Sequence, residues 1–185
     1  MKEKKILSES FILAVVLMSL AAATRFIPHP FNFTALGAIA LFSGAIVKDK
    51  RLAFLLPISV LLFTDTILGF HLSMFPVYAC FAFTVVLGIA IKNKQNIFSI
   101  FGASLVSSLV FFLITNLPLW YLDLGLYPMT INGTLESYKM AIPFFRNQLV
   151  GDLFYNSLLF GIFYLAVKKP TLFNLKAIFL TSPKK

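Results

Sequence analysis

The chain has 185 residues, 59% of them apolar and only 12% charged, with 22 phenylalanines and a net charge of +9. A soluble domain carries about 25% charge and a disordered chain is poor in apolar residues, so neither class fits. Six membrane spans of about 20 residues would occupy about 120 positions, which leaves room for loops but not for a second domain. The sequence thus predicts one all-α integral membrane domain over residues 1–185. Cys80 is the single cysteine and excludes an internal disulfide.

The first apolar stretch, Ser10–Ile27, follows Lys2, Lys4 and Lys5 and contains Ala21-Ala22-Ala23, an arrangement that mimics a secretory signal peptide. Its apolar run continues through Phe26 and Ile27, interrupted only by Arg25, so a retained first span is expected. The second and fourth stretches, Phe33–Val47 and Val77–Ile91, are short for a span. The third is Leu52–Gly69, the fifth Ile97–Tyr121 and the sixth Pro143–Val167. Between the last two lies the only long connection, Pro118–Ile142, which reads as a lid-like outer loop with a short interfacial helix over Thr134–Ala141.

Charge placement orients this set. Thirteen of the sixteen basic residues fall in the termini and in the short loops around Lys48–Arg51 and Lys92–Asn96. Only Arg25, Lys139 and Arg146 fall on the other side. The positive-inside rule then predicts a compact six-helix bundle with both termini cytoplasmic. The excess of lysine is read as an orientation signal, and no nucleic-acid partner is expected. Asn32-Phe33-Thr34 and Asn132-Gly133-Thr134 match a glycosylation triplet but are read as turn and helix-start chemistry.

Polar residues inside spans are costly, so their positions carry information. Arg25, His29, Asn32, Asp65, His71, Asn116, Trp120, Tyr121, Tyr127, Tyr138, Arg146, Asn147, Gln148 and Asp152 all gather toward the predicted outer side. Gln148, Asp152 and Asn156 are four apart and share one helix face. Ser104, Ser108 and Thr115 share a face of the fifth span, and both faces should look into the bundle. For Arg25, Asp65 and Asp152 two readings stand side by side: an internal ion network pinning helix ends, or a ligand site. The aromatic residues fit a water-interface belt or a stacking role equally well. Histidine and carboxylate suit divalent ions, but no histidine pair at helical spacing is present, so neither a metal nor a cofactor is assigned. Phosphate-loop, GxSxG and HExxH motifs are absent from the sequence, and no catalytic residue is assigned.

Four stretches carry a resemblance. They are Arg25-Phe26-Ile27-Pro28-His29-Pro30-Phe31-Asn32-Phe33-Thr34, Asp65-Thr66-Ile67-Leu68-Gly69-Phe70-His71, Thr115-Asn116 followed by Trp120, and Ile142-Pro143-Phe144-Phe145-Arg146-Asn147 through Gly151-Asp152. Together they resemble an uncharacterised family of small bacterial membrane proteins assigned to transport, over nearly the whole chain. That family is similar in turn to the substrate-binding (S) components of energy-coupling-factor (ECF) transporters, in size, span count and outward polar cluster. The resemblance implies a bundle in the bacterial cytoplasmic (inner) membrane that captures a scarce, vitamin-like metabolite from outside. Uptake would need a separate transmembrane coupling protein and a pair of ATPases. S components often meet the coupling protein through small residues of the first helix, where Ser10 and Ala14 fit the pattern and Met18 breaks it.

The expected function is therefore a membrane-embedded capture subunit for a small planar metabolite, not an enzyme. Its expected binding residues are Arg25, His29, Asn32, Asp65, His71, Asn116, Trp120, Tyr127, Tyr138, Arg146, Asn147, Gln148 and Asp152. Arg25 and Arg146 would attract an anionic group, Trp120, Tyr127 and Tyr138 would stack, and Asp65 and Asp152 would orient donors. Two alternatives remain open: a ligand-free scaffold for envelope or cell-shape machinery, and a membrane-embedded enzyme.

Overall fold

A computed structural model describes residues 2–70 and 72–168 of the chain. Six α-helices make up the described residues: α1 Lys2–Ala23, α2 Leu36–Ile46, α3 Lys50–Leu68, α4 Met74–Ile91, α5 Ile97–Thr115 and α6 Ile131–Lys168. Short 3-10 segments follow α1 at Thr24–Phe26 and α5 at Pro118–Leu124. Among the described residues, four helical stretches are long and apolar enough to cross a membrane: Lys50–Leu68, Met74–Ile91, Ile97–Thr115 and Ile131–Val167. The apolar parts of the other two, Ser10–Phe26 and Leu36–Ile46, are shorter. The fold is that of a helical membrane protein.

The largest departure from the expected spans is at α2. Its 11 residues make a rod of about 16 Å, roughly half a bilayer core. Pro28 and Pro30 lack the N–H a helix needs, and Asn32 takes a positive φ of 62°, so the expected start at Phe33 is held in a turn. A short helix is tolerable here because α2 sits in the middle of the bundle and packs against all five others. Nine of its residues are buried, so its ends meet protein.

Close approach to α4 is built on two glycines. A Cβ on Gly44 would lie 2.2 Å from the Val85 carbonyl oxygen, and one on Gly88 would lie 2.3 Å from that of Leu41. Helices meeting backbone to backbone in this way use small residues to gain packing contacts that lipid cannot supply. The last carbonyls of α2 have no partner within the helix. Lys92 Nζ donates to Val47 O at 2.7 Å and Gln95 Nε2 to Ala45 O at 3.0 Å, and the lysine charge also suits the negative end of the helix. Ser43 Oγ ties α2 to α3 through Ala53 O at 2.8 Å.

The fifth and sixth elements also differ from expectation. α5 stops at Thr115, because Pro118 disfavours helical geometry just before it. The expected interfacial helix over 134–141 is continuous with the sixth span, in one 38-residue helix that runs through Pro143. The irregular part of the expected lid is thereby reduced to residues 116–130. Thr130 starts α6, its hydroxyl accepting from Gly133 N at 3.1 Å. The first helix differs in another respect: Ala14 is 0% exposed and lies in the core cluster. Ala14 thus packs into the bundle, while Ser10 on the preceding turn is half-buried.

Candidate functional site

At the N-terminal end of α2 the bundle opens into a cavity of about 400 Å³. Because α2 is short, α3, α4, α5 and α6, with the 3-10 segment after α1, wall the space it does not fill. Arg25, Asn32, Thr34, Gly37, Asn116, Tyr121, Gln148 and Asp152 line it with polar groups, and Phe81, Phe111 and Phe144 with rings. Several convergent polar groups in a partly apolar hollow are the usual make-up of a small-molecule site.

Asp152 is 3% exposed and stands on α6 opposite the serine face of α5. Its Oδ2 accepts from Ser108 Oγ at 2.7 Å, and Gln148, one turn earlier, also hydrogen-bonds to the carboxylate. One turn further on, Asn156 Nδ2 donates to Ser104 Oγ at 3.0 Å. The two polar faces expected from helical spacing therefore meet each other. Their junction continues to α4, where Thr84 and Ser107 share a hydrogen bond. Asn156 Oδ1 is buried and has no partner among the described residues. Gly37 brings the first turn of α2 onto the carboxylate, since a Cβ there would lie 2.2 Å from Asp152 Oδ1. The positive end of the α2 dipole thus faces a carboxylate, which is the favourable sense.

Arg25 and Asp65 form a separate unit. Arg25 Nη1 donates to Asp65 Oδ1 at 2.8 Å and to Thr64 Oγ1, and Tyr78 donates to Asp65 Oδ2 at 3.0 Å. Asp65 is 1% exposed and lies behind Arg25 rather than on the cavity wall. The ion-network reading therefore holds for Arg25 and Asp65, whereas Asp152 is held by neutral donors.

Of the other expected residues, Asn32, Asn116 and Gln148 reach the cavity. His29 is exposed, its Nδ1 bonded to Pro30 O at 2.9 Å. His71 lies outside the described residues. Arg146 is exposed, Tyr127 is half-buried, and neither lines the cavity. Asn147 Nδ2 donates to Phe31 O at 3.1 Å and Phe31 packs edge-on against Phe144, so α6 holds the α1–α2 turn over the cavity.

Trp120 and Tyr138 have a different task, set by the end of α5. The closing carbonyls of a helix lack intrahelical partners, and no water is available to them in hydrocarbon. Here five consecutive carbonyls are each met by a side chain. Asn116 donates to Phe112 O, Tyr138 to Leu113 O, Trp120 to Ile114 O, Tyr121 to Thr115 O and Ser137 to Asn116 O, all at 2.6–2.8 Å. Tyr138→Phe should lower stability by about 1 kcal/mol and leave ligand affinity unchanged, as thermal unfolding and binding on the same sample will show. Tyr121 serves both the cap and the cavity. Burial, with a smaller contribution from Tyr127, raises its phenol above the ordinary value, so it remains a neutral donor.

The expected set also missed part of the lining. Thr34 lies in the turn before α2, Gly37 and the three phenylalanines are ordinary residues of apolar helices, and Thr115 stood out only as a member of the polar face of the fifth span. Among the described residues no group of three histidine, cysteine or acidic side chains is placed to hold a metal ion.

Fold and cavity together define a helical membrane protein with a polar hollow above a central half-length helix. The chain belongs to DUF6580, a family of unknown function whose match spans residues 4–175. No curated protein and no solved structure matches it.

Proposed function

We propose that this protein is a membrane-embedded capture subunit that binds a small metabolite in the cavity above α2. In this reading it lies in the bacterial cytoplasmic membrane with both termini inside, as the charge distribution favours. The cavity then faces outward, in the manner of ECF transporter S components, and its role is binding rather than turnover. Uptake would be completed by a separate energising module, a coupling protein with two ATPases. The α1–α2 turn and the segment 116–130 would cover the ligand.

The observation that carries this proposal is the buried Asp152 on the wall of a cavity lined by residues of α2 to α6 and of the segments after α1 and α5. A carboxylate in a span costs about 2.5–3.5 kcal/mol on insertion scales, and the fold does not need it to hold α5 to α6. The Asn156–Ser104 bond and the apolar core already do that.

Native mass spectrometry of protein extracted in mild detergent tests the reading. A stoichiometric small-molecule adduct is expected on the wild type and should be absent from Asp152→Ala, with the thermal transition of the variant retained. Protein of bare mass, together with a membrane partner recovered by crosslinking that is not a transporter module, would support the scaffold reading instead.

A further inference from the structure

We propose that the ligand is an organic cation, a protonated amine or amidinium carried on a flat apolar body, with its positive group against Asp152. This rests on reading the cavity as a capture site and specifies what the site captures.

The argument is one of charge balance. Among the described residues, three formally charged side chains stand at or behind the cavity wall: Arg25, Asp65 and Asp152. Arg25 and Asp65 neutralise each other at 2.8 Å, and Thr64 and Tyr78 each add a hydrogen bond to the pair. Asp152 is left with two neutral partners, Ser108 and Gln148, and no cation of the described residues pairs with it. With Asp152 ionised, the described set carries one uncompensated negative charge on a buried side chain, where an unpaired charge is expensive and a cationic partner is what would hold the carboxylate in its charged form.

An anionic ligand would double that imbalance. Arg25 retains donors that could face it, but its charge is already engaged by Asp65. A divalent metal is a poor match as well, since Asp152 lines the cavity with amides, hydroxyls and rings rather than with further carboxylates or histidines. An organic cation satisfies both halves of the wall. Its charge completes Asp152, and its apolar body lies among Phe81, Phe111, Phe144 and Tyr121, whose rings also attract cations through their faces. The nearby turn of α2 restricts the bulk that fits beside the carboxylate, because Gly37 is already in contact with Oδ1.

Three probes of similar size separate the classes: benzamidinium, benzyl alcohol and benzoate. Binding of each to the full-length protein in lipid nanodiscs is measured by saturation-transfer NMR and by mutual competition. Benzamidinium should bind most tightly to the wild type, lose at least tenfold in affinity in Asp152→Asn, and not be displaced by benzoate. Should the variant fail to fold, the rank order on the wild type decides alone. Benzoate or benzyl alcohol binding as tightly as benzamidinium, or an Asp152→Asn variant that binds benzamidinium normally, overturns the cation assignment while leaving capture standing. Binding by none of the three overturns it too, and if native mass spectrometry also shows no adduct the capture reading falls with it.

Discussion

Gly44→Ala and Gly88→Ala should each destabilise the bundle by about 3 kcal/mol or more, at the upper end for overpacking, which corresponds to a fall of roughly 10 °C in Tm. The reason is what the added methyl would meet. At Gly44 it is the Val85 carbonyl oxygen at 2.2 Å, and at Gly88 the Leu41 carbonyl oxygen at 2.3 Å. A clashing side chain can change rotamer, but backbone can yield only if the two helices separate. Separation of α2 from α4 would loosen every other contact of α2, since it is packed on all sides. Gly102→Ala is the control, because a Cβ there meets nothing within 4 Å. It should be neutral or slightly stabilising, since alanine favours a helix by about 0.5–1 kcal/mol over glycine. Thermal unfolding of the three variants in one detergent reads the contrast. Equal behaviour of Gly44→Ala and Gly102→Ala would show that the α2–α4 crossing is looser than described.

Arg25→Ala should cost about 3–5 kcal/mol, the penalty for stranding one member of a buried pair. Asp65, 1% exposed, would keep, among the described residues, only the Tyr78 hydroxyl as a side-chain donor after losing its cation. Arg25 itself is 18% exposed, so its own desolvation is incomplete and the loss falls mainly on Asp65. The double variant Arg25→Met with Asp65→Leu removes both charges and should recover most of the stability, since a buried ion pair can often be replaced by apolar residues at little net cost. Ligand capture supplies the second readout. The double variant lacks the pair but keeps Asp152, and on the proposal above it should still bind benzamidinium. If instead it is stable yet binds nothing, Arg25 contacts the ligand directly.

Both predictions concern residues of very different visibility in the sequence. Arg25 and Asp65 stood out because charges in apolar runs are costly, and that rule identifies which residues have a partner or a function without saying which partner. Gln148, Asp152 and Asn156 were placed on one face by the four-residue repeat, and Ser104 and Ser108 likewise. Their meeting at 2.7 and 3.0 Å follows from the packing of α5 on α6. Trp120 and Tyr138 were equally conspicuous and proved to cap a helix end. An aromatic ring with a polar tip reads the same whether it meets a ligand or a backbone carbonyl, and only the carbonyl count at Thr115 separates the two.

What the sequence by itself determined is the class of molecule and the location of its costly groups. Hydropathy, charge density and the four-residue spacing of polar residues are local properties, and they are enough for an all-helical membrane protein with a polar end. The tertiary structure decided the rest. It made α2 a buried half-length helix, since the irregular stretch 27–35 replaces half a span only when other helices surround it. It turned Ala14 inward, joined residues 131–142 to α6, and separated the Arg25–Asp65 pair from Asp152. These outcomes depend on which faces meet across the bundle, and no periodicity along the chain encodes that. The cavity belongs to the same category: it is the volume left where α2 ends and its neighbours continue.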